Sequence, residues 1–125
     1  MSDENKPANF KDLHVLQKGI ALAKMVYQLT SVFPPDERFG LVSQMRRAAV
    51  SVPSNIAEGQ ARHTTGEFIQ FISHAEGSVA ELETQMLLSI ELGFLQKPAA
   101  SDALTLLLEL RKMLNALRRT LATRH

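Results

Sequence analysis

Hydrophobic positions recur along this chain at steps of three and four, and polar breaks divide them into four blocks. In the first block Leu13, Leu16, Ile20, Ala23 and Tyr27 keep that spacing and predict a helix from about Lys11 to Ser31. Pro34-Pro35 ends it, because two prolines cannot continue a helix. A second helix is expected from about Glu37 to Ala61, with Ala48, Ala49, Val52, Ile56 and Ala57 as its apolar stripe. After the break at His63-Thr64-Thr65-Gly66, Thr64-x-x-Glu67 has the form of a capping box opening a third helix. Phe68, Ile72, Ala75, Val79, Leu82, Met86 and Ile90 sustain its stripe, and Gly93 fits the residue just past its end. Lys97-Pro98 separates a fourth helix, capped by Ser101 or Asp102 unless Ala99 already belongs to it. Leu104, Leu107, Leu108, Leu114, Leu117 and Leu121 form its stripe. Strand signals are almost absent. The expected fold is all-α, an up-down-up-down antiparallel four-helix bundle over residues 10–125, since short connections favour antiparallel neighbours. Residues 1–9 read as a polar, flexible N-terminal tail.

Two of these helices are more apolar than one core face requires. Val15, Leu22, Val26 and Leu29 add to the first, and Phe71, Leu87 and Leu88 add to the third. A lone bundle needs an apolar stripe only about 100° wide on each helix. The surplus predicts burial between subunits, with a thicker core inside one chain as the alternative. Periodicity sets no number of copies.

The second helix breaks local rules. Pro53 stands inside its stripe, cannot donate to the carbonyl of Ala49, and crowds it. A bend or local break is expected there, with the freed carbonyl finding a polar group and Ser51 and Ser54 flanking the defect. Gln44, Arg47, Ser51, Asn55 and Glu58 fall on one line along the same helix. That line is either an ordinary solvated face or a seam where another backbone comes close, and the small residues around it favour the seam. Gly77-Ser78 of the third helix would pack opposite Pro53. Arg47 is expected to be partly buried and paired with Glu81 or another glutamate of the third helix.

The stretch from Ser43 to Gly59 also carries a resemblance. Ser43, Gln44, Arg46, Arg47, Ala48, Ala49, Ser51, Pro53, Asn55, Ile56, Ala57, Glu58 and Gly59 match the signature of the bacterial four helix bundle proteins, the 23S rRNA-intervening sequence proteins. Phe10 and Leu13, Phe33-Pro34 with Glu37, Gly77-Ser78 and Glu81-Leu82-Glu83 extend the match from about Phe10 to Leu95, and the last helix resembles the family in pattern alone. Leu16 stands where many members carry tryptophan, and His74 where an apolar residue is common. The resemblance implies a helical bundle that assembles as a homopentamer around a central channel. It also implies one of two settings. Some members are encoded inside 23S rRNA genes, and a related branch serves diversity-generating retroelements as an accessory protein touching a reverse transcriptase and nucleic acid.

Composition narrows the chemistry. At 125 residues the chain makes one domain, and a net charge of +1 is not that of a strongly basic nucleic-acid binder. The distribution is less even than the total. Residues 63–93 hold five glutamates and no lysine or arginine, whereas residues 94–125 hold six basic residues against Asp102 and Glu109. Either two neighbouring helices complement each other, or the basic helix faces an acidic partner such as RNA or DNA. In the second case Arg111, Lys112, Arg118 and Arg119 are the favoured contacts, with Arg46 and Arg62 as the comparison pair. The alternative is a structural scaffold that binds a protein partner, such as a reverse transcriptase, without touching nucleic acid. Catalysis is not expected: His14, His63, His74 and His125 are scattered, the glycines are spread singly, and no metal or cofactor motif occurs. The chain has no cysteine, no signal-like apolar stretch at its start and no run of about 20 apolar residues, which points to a cytoplasmic protein without membrane contact.

Overall fold

The computed structural model describes the backbone over residues 10–124 and the side chains over 12–123, so the expected tail, residues 1–9, lies outside the described residues. Four helices carry the chain: α1 (Phe10–Thr30), α2 (Leu41–Gln60), α3 (Thr65–Glu91) and α4 (Lys97–Arg124). A single 3₁₀ turn, Pro35–Glu37, stands between the first two, and no strand occurs among the described residues. Contacts fix the directions. Asp12, Gly19 and Thr30 of α1 meet Gln60, Pro53 and Arg46 of α2, so one helix ascends while the other descends. Phe68, Ser78 and Ser89 of α3 meet Gly59, Ser51 and Met45 of α2 in the same opposed order. Glu76 and Glu83 of α3 meet Arg118 and Arg111 of α4. Lys18 and Glu109, 3.1 Å apart, close α1 on α4. Each helix therefore packs antiparallel to its sequence neighbour in a four-helix bundle.

The helix ends follow from local chemistry. The Thr30 hydroxyl donates to the Val26 carbonyl at 2.7 Å, and α1 stops four residues ahead of the prolines. Glu37, expected inside the second helix, belongs to the 3₁₀ turn instead. Gly40 at the start of α2 has no capping side chain, and the Glu37 carboxylate takes the Leu41 N–H at 3.2 Å in its place. Thr64 caps α3 as expected, accepting from the Glu67 N–H at 3.1 Å. Gly93 has φ +83°, and the Gly93 and Phe94 N–H groups reach back to Ile90 and Ser89 at 3.0 and 2.9 Å. That pair of bonds is the Schellman closure, which needs the left-handed residue that glycine supplies. Phe94 then meets the Phe33 ring at a tilt of 53° with centroids 5.8 Å apart, tying the two loops at this end of the bundle. The start of α4 corrects an expectation. It begins at Lys97, with Pro98 in its first turn, where a missing N–H costs nothing. Ser101 and Asp102 therefore lie inside the helix and not at its cap.

The core takes the expected faces of α2 and α3. Ala48, Ala49, Val52 and Ile56 are buried, as are Phe68, Ile72, Ala75, Val79, Leu82 and Met86. Ala57 is the exception in α2 and faces solvent. In α1 the stripe is the other one. Val15, Leu22 and Val26 enter the core, while Leu13, Ile20 and Tyr27 are 49%, 55% and 45% exposed. Residues of both sets recur at helical steps, so spacing alone did not choose between them. Gly19 chooses: a Cβ there would sit 3.3 Å from the Pro53 Cβ, so this side of α1 lies closest to α2. On α4, Leu107, Leu110, Leu114 and Leu121 are buried and Leu108 points outward.

Candidate functional site

The Ser43–Gly59 stretch divides its side chains between two jobs. Most of its apolar residues fill the core, and most of its polar ones, with Val50, line an open groove on the outer face of α2. Pro53 does not break the helix, which runs continuously from Leu41 to Gln60. The expected local break is therefore absent. Polar groups cluster around the proline, although the bonds fall beside the Ala49 carbonyl. The Ser51 hydroxyl lies 3.0 Å from the Ala48 carbonyl, and the Asn55 amide donates to the Ser51 carbonyl at 2.8 Å. The Ser51 and Ser78 hydroxyls also bond to each other, stitching α2 to α3.

Small residues do allow close approach in this region, at Pro53 as expected, although the partner is α1 and not Gly77. Gly19 meets Pro53 from α1, and Gly59 meets Phe68 from α3 so tightly that a Cβ would sit 2.8 Å from its ring. Gly77 has nothing within 4 Å of where a Cβ would lie, so it is no packing partner of Pro53. Ser78 alone of that pair reaches α2. The seam divides as well: Ser51 and Asn55 are half-buried, and Gln44, Arg47 and Glu58 are exposed. Arg47 is thus not the partly buried ion-pair partner of Glu81. The Glu81 carboxylate instead accepts from Gln85 at 3.3 Å. Arg47 lines the open groove with Ser43 and Ser54, and its side chain is exposed to solvent.

The groove has a volume of about 770 Å³ and is open to solvent. Tyr27 of α1, Arg38 and Phe39 of the connecting turn, and Ser43, Arg46, Arg47, Val50, Ser54, Asn55 and Glu58 of α2 line it. Three arginines face one carboxylate there. Arginines lie over rings at three places along this face: Arg46 over Tyr27 at 4.5 Å, Arg38 over Phe39 at 5.8 Å, and Arg62 over Phe71 at 4.6 Å just past the end of α2. Chains of this size hold about one or two such contacts. Arg46 is also fixed by hydrogen bonds, donating from Nε to Thr30 Oγ1 at 2.9 Å and from Nη2 to the Tyr27 carbonyl at 3.3 Å. Tyr27, expected in the core, is here a surface ring. Arg62 donates to Glu58 at 3.2 Å, and Phe71 meets His74 edge-on at 5.9 Å, so His74 sits on the surface.

The basic residues of α4 are arranged differently. Arg118 Nε donates to Glu76 Oε1 at 2.7 Å and its Nη2 to Asn115 at 2.8 Å. Arg111 donates to Glu83 at 3.1 Å. Lys112 and Arg119 are exposed. The charge imbalance between residues 63–93 and 94–125 is therefore met, at two places, by ion pairs between α3 and α4. Of the four favoured contacts, Arg111 and Arg118 are bound to glutamates and Lys112 and Arg119 are solvated. No group of three or more histidine, aspartate or glutamate side chains among the described residues is placed to hold a metal ion. No helix among them is long and apolar enough to cross a membrane.

No curated protein matches the chain. A family model described as 23S rRNA-intervening sequence protein matches residues 11–116. That match starts in α1, takes in all of α2 with its proline and its outward polar line, and ends within α4. This four-helix chain therefore belongs to the 23S rRNA-intervening sequence protein family.

Proposed function

We propose that the chain is a non-enzymatic assembly protein whose copies join into a homo-oligomer, a pentamer as the family resemblance implies. The observation that carries this reading is the strip of apolar side chains left outside the core of α1. Leu13, Ile20 and Tyr27 follow one another at steps of seven, so they lie along one side of the helix, and about half of each is exposed. Leu16 and Ala23 are partly buried against the core, and Val50 of α2 is exposed beside Tyr27. A contiguous apolar band of this kind marks an interface more often than a free surface. A second copy of the chain is the occupant that the family resemblance supplies. The exposed Leu87 and Leu88 of α3 add a further apolar surface for assembly. The same reading places the protein in the cytoplasm, where a chain without cysteine gives up no disulfide.

Sedimentation equilibrium at micromolar concentration tests it. The wild type should sediment as a multiple of 13.9 kDa, and Ile20→Glu should shift it to the monomer mass with helicity retained, because Ile20 lies outside the core. A wild type at the monomer mass overturns the reading.

A further inference from the structure

We infer that the outer groove of α2 binds single-stranded RNA, with the Arg38–Phe39 turn and Arg47 as its principal contacts. Arg38, Phe39 and Arg47 lie outside the apolar strip of α1, although Tyr27 and Val50 border both surfaces, and the inference does not rest on self-assembly. Four observations carry it. The groove sets Arg38, Arg46 and Arg47 against the single carboxylate of Glu58, so its charge complements a polyanion. Phe39 is 88% exposed, an aromatic ring that folding leaves in water. Arg38 lies 5.8 Å from the centre of that ring and is itself exposed, so a base can stack on the ring while the guanidinium meets the adjoining phosphate. Arg46 is held on Tyr27 and Thr30, which keeps a second guanidinium in place and lowers the ordering cost of binding.

The shape selects a single strand. A flat, open groove beside a protruding ring accommodates unstacked bases, whereas a duplex keeps its bases stacked out of reach. The uncharged residues that line the groove with the arginines, Ser43, Ser54 and Asn55, offer hydroxyl and amide groups to a ribose 2′-hydroxyl, the one group that separates RNA from DNA at such a site. This contact makes RNA the occupant.

The test is fluorescence anisotropy at low ionic strength with a labelled oligouridylate, a matching oligothymidylate and an RNA duplex. The full chain should bind the oligouridylate most tightly. Phe39→Ala should weaken it about tenfold through lost stacking. Arg38→Ala with Arg47→Ala should weaken it further and lower the salt slope by about one for each phosphate contact removed. Arg119→Glu on α4 should have the smaller effect. Each variant is also sedimented, so that loss of RNA binding is separated from loss of assembly, and all four altered side chains are exposed and leave the core untouched. Oligouridylate that does not bind the wild type, or binds the Arg38→Ala, Arg47→Ala double variant equally well, overturns the proposal. Equal affinity for oligothymidylate overturns the RNA assignment. Tighter binding of polyglutamate than of either oligonucleotide makes the groove a site for an acidic protein surface and overturns it too.

Discussion

Helices α2 and α4 both carry outward arginines, and they use them in opposite ways. On α4, Arg111 and Arg118 are matched to Glu83 and Glu76 of α3, so positive charge meets negative charge inside one chain. On the α2 face, Arg38, Arg46 and Arg62 lie over Phe39, Tyr27 and Phe71. A ring does not neutralise a guanidinium as a carboxylate does. The same residue type therefore stitches helices on one face, whereas on the other Arg38 and Arg46 lie against exposed rings and Arg62 pairs with Glu58 of its own turn. Counting arginines along the chain favours α4. Counting what each arginine touches favours α2.

The largest expected effect tests how firmly α2 is seated. Gly59→Val would push a branched side chain into the Phe68 ring, where even a Cβ would lie 2.8 Å away. Overpacking of that kind should cost about 3 kcal/mol, read as a lower urea midpoint at constant protein concentration. A loss below about 1 kcal/mol would show that the α2–α3 contact yields easily, and the fixed geometry of the α2 face would go with it. Next comes Arg46→Ala, which removes two hydrogen bonds and a ring contact from half-buried surroundings. It should cost about 1–2 kcal/mol and depend little on salt. The smallest effect belongs to Arg118→Ala. Its pair with Glu76 is partly exposed, so the loss should stay under about 1 kcal/mol and fade in high salt. If Arg118→Ala cost more than Arg46→Ala and both ignored salt, the contrast between the two faces would fail.

Much of the fold was legible in the residues. The α3 stripe was readable because Phe68, Ile72, Ala75, Val79, Leu82 and Met86 keep one strict spacing down a helix of 27 residues. Its two ends were readable because Thr64 and Gly93 act on backbone atoms a few positions away. Such local interactions need no knowledge of the rest of the chain. The start of α4 is less legible, because proline both separates helices and fits the first turn of one, and Pro98 does the second.

The candidate site was legible only as a stretch of chain. The residues from Ser43 to Gly59 stood out through Pro53 and the polar line, but the roles of Arg47, Tyr27 and Gly77 did not. Helix α1 is apolar on most of its circumference, so two stripes fit its period, and the choice came from the approach of Gly19 to Pro53 on another helix. That choice turned Tyr27 outward and brought it beneath Arg46, 19 residues along the chain. Helical spacing and capping are properties of neighbouring residues, and the sequence by itself determined those. Which apolar face is buried, and whether an arginine meets a glutamate or a ring, depends on the angle at which two helices meet. That angle is set by the closest backbone approach between them, and only the tertiary structure decided it.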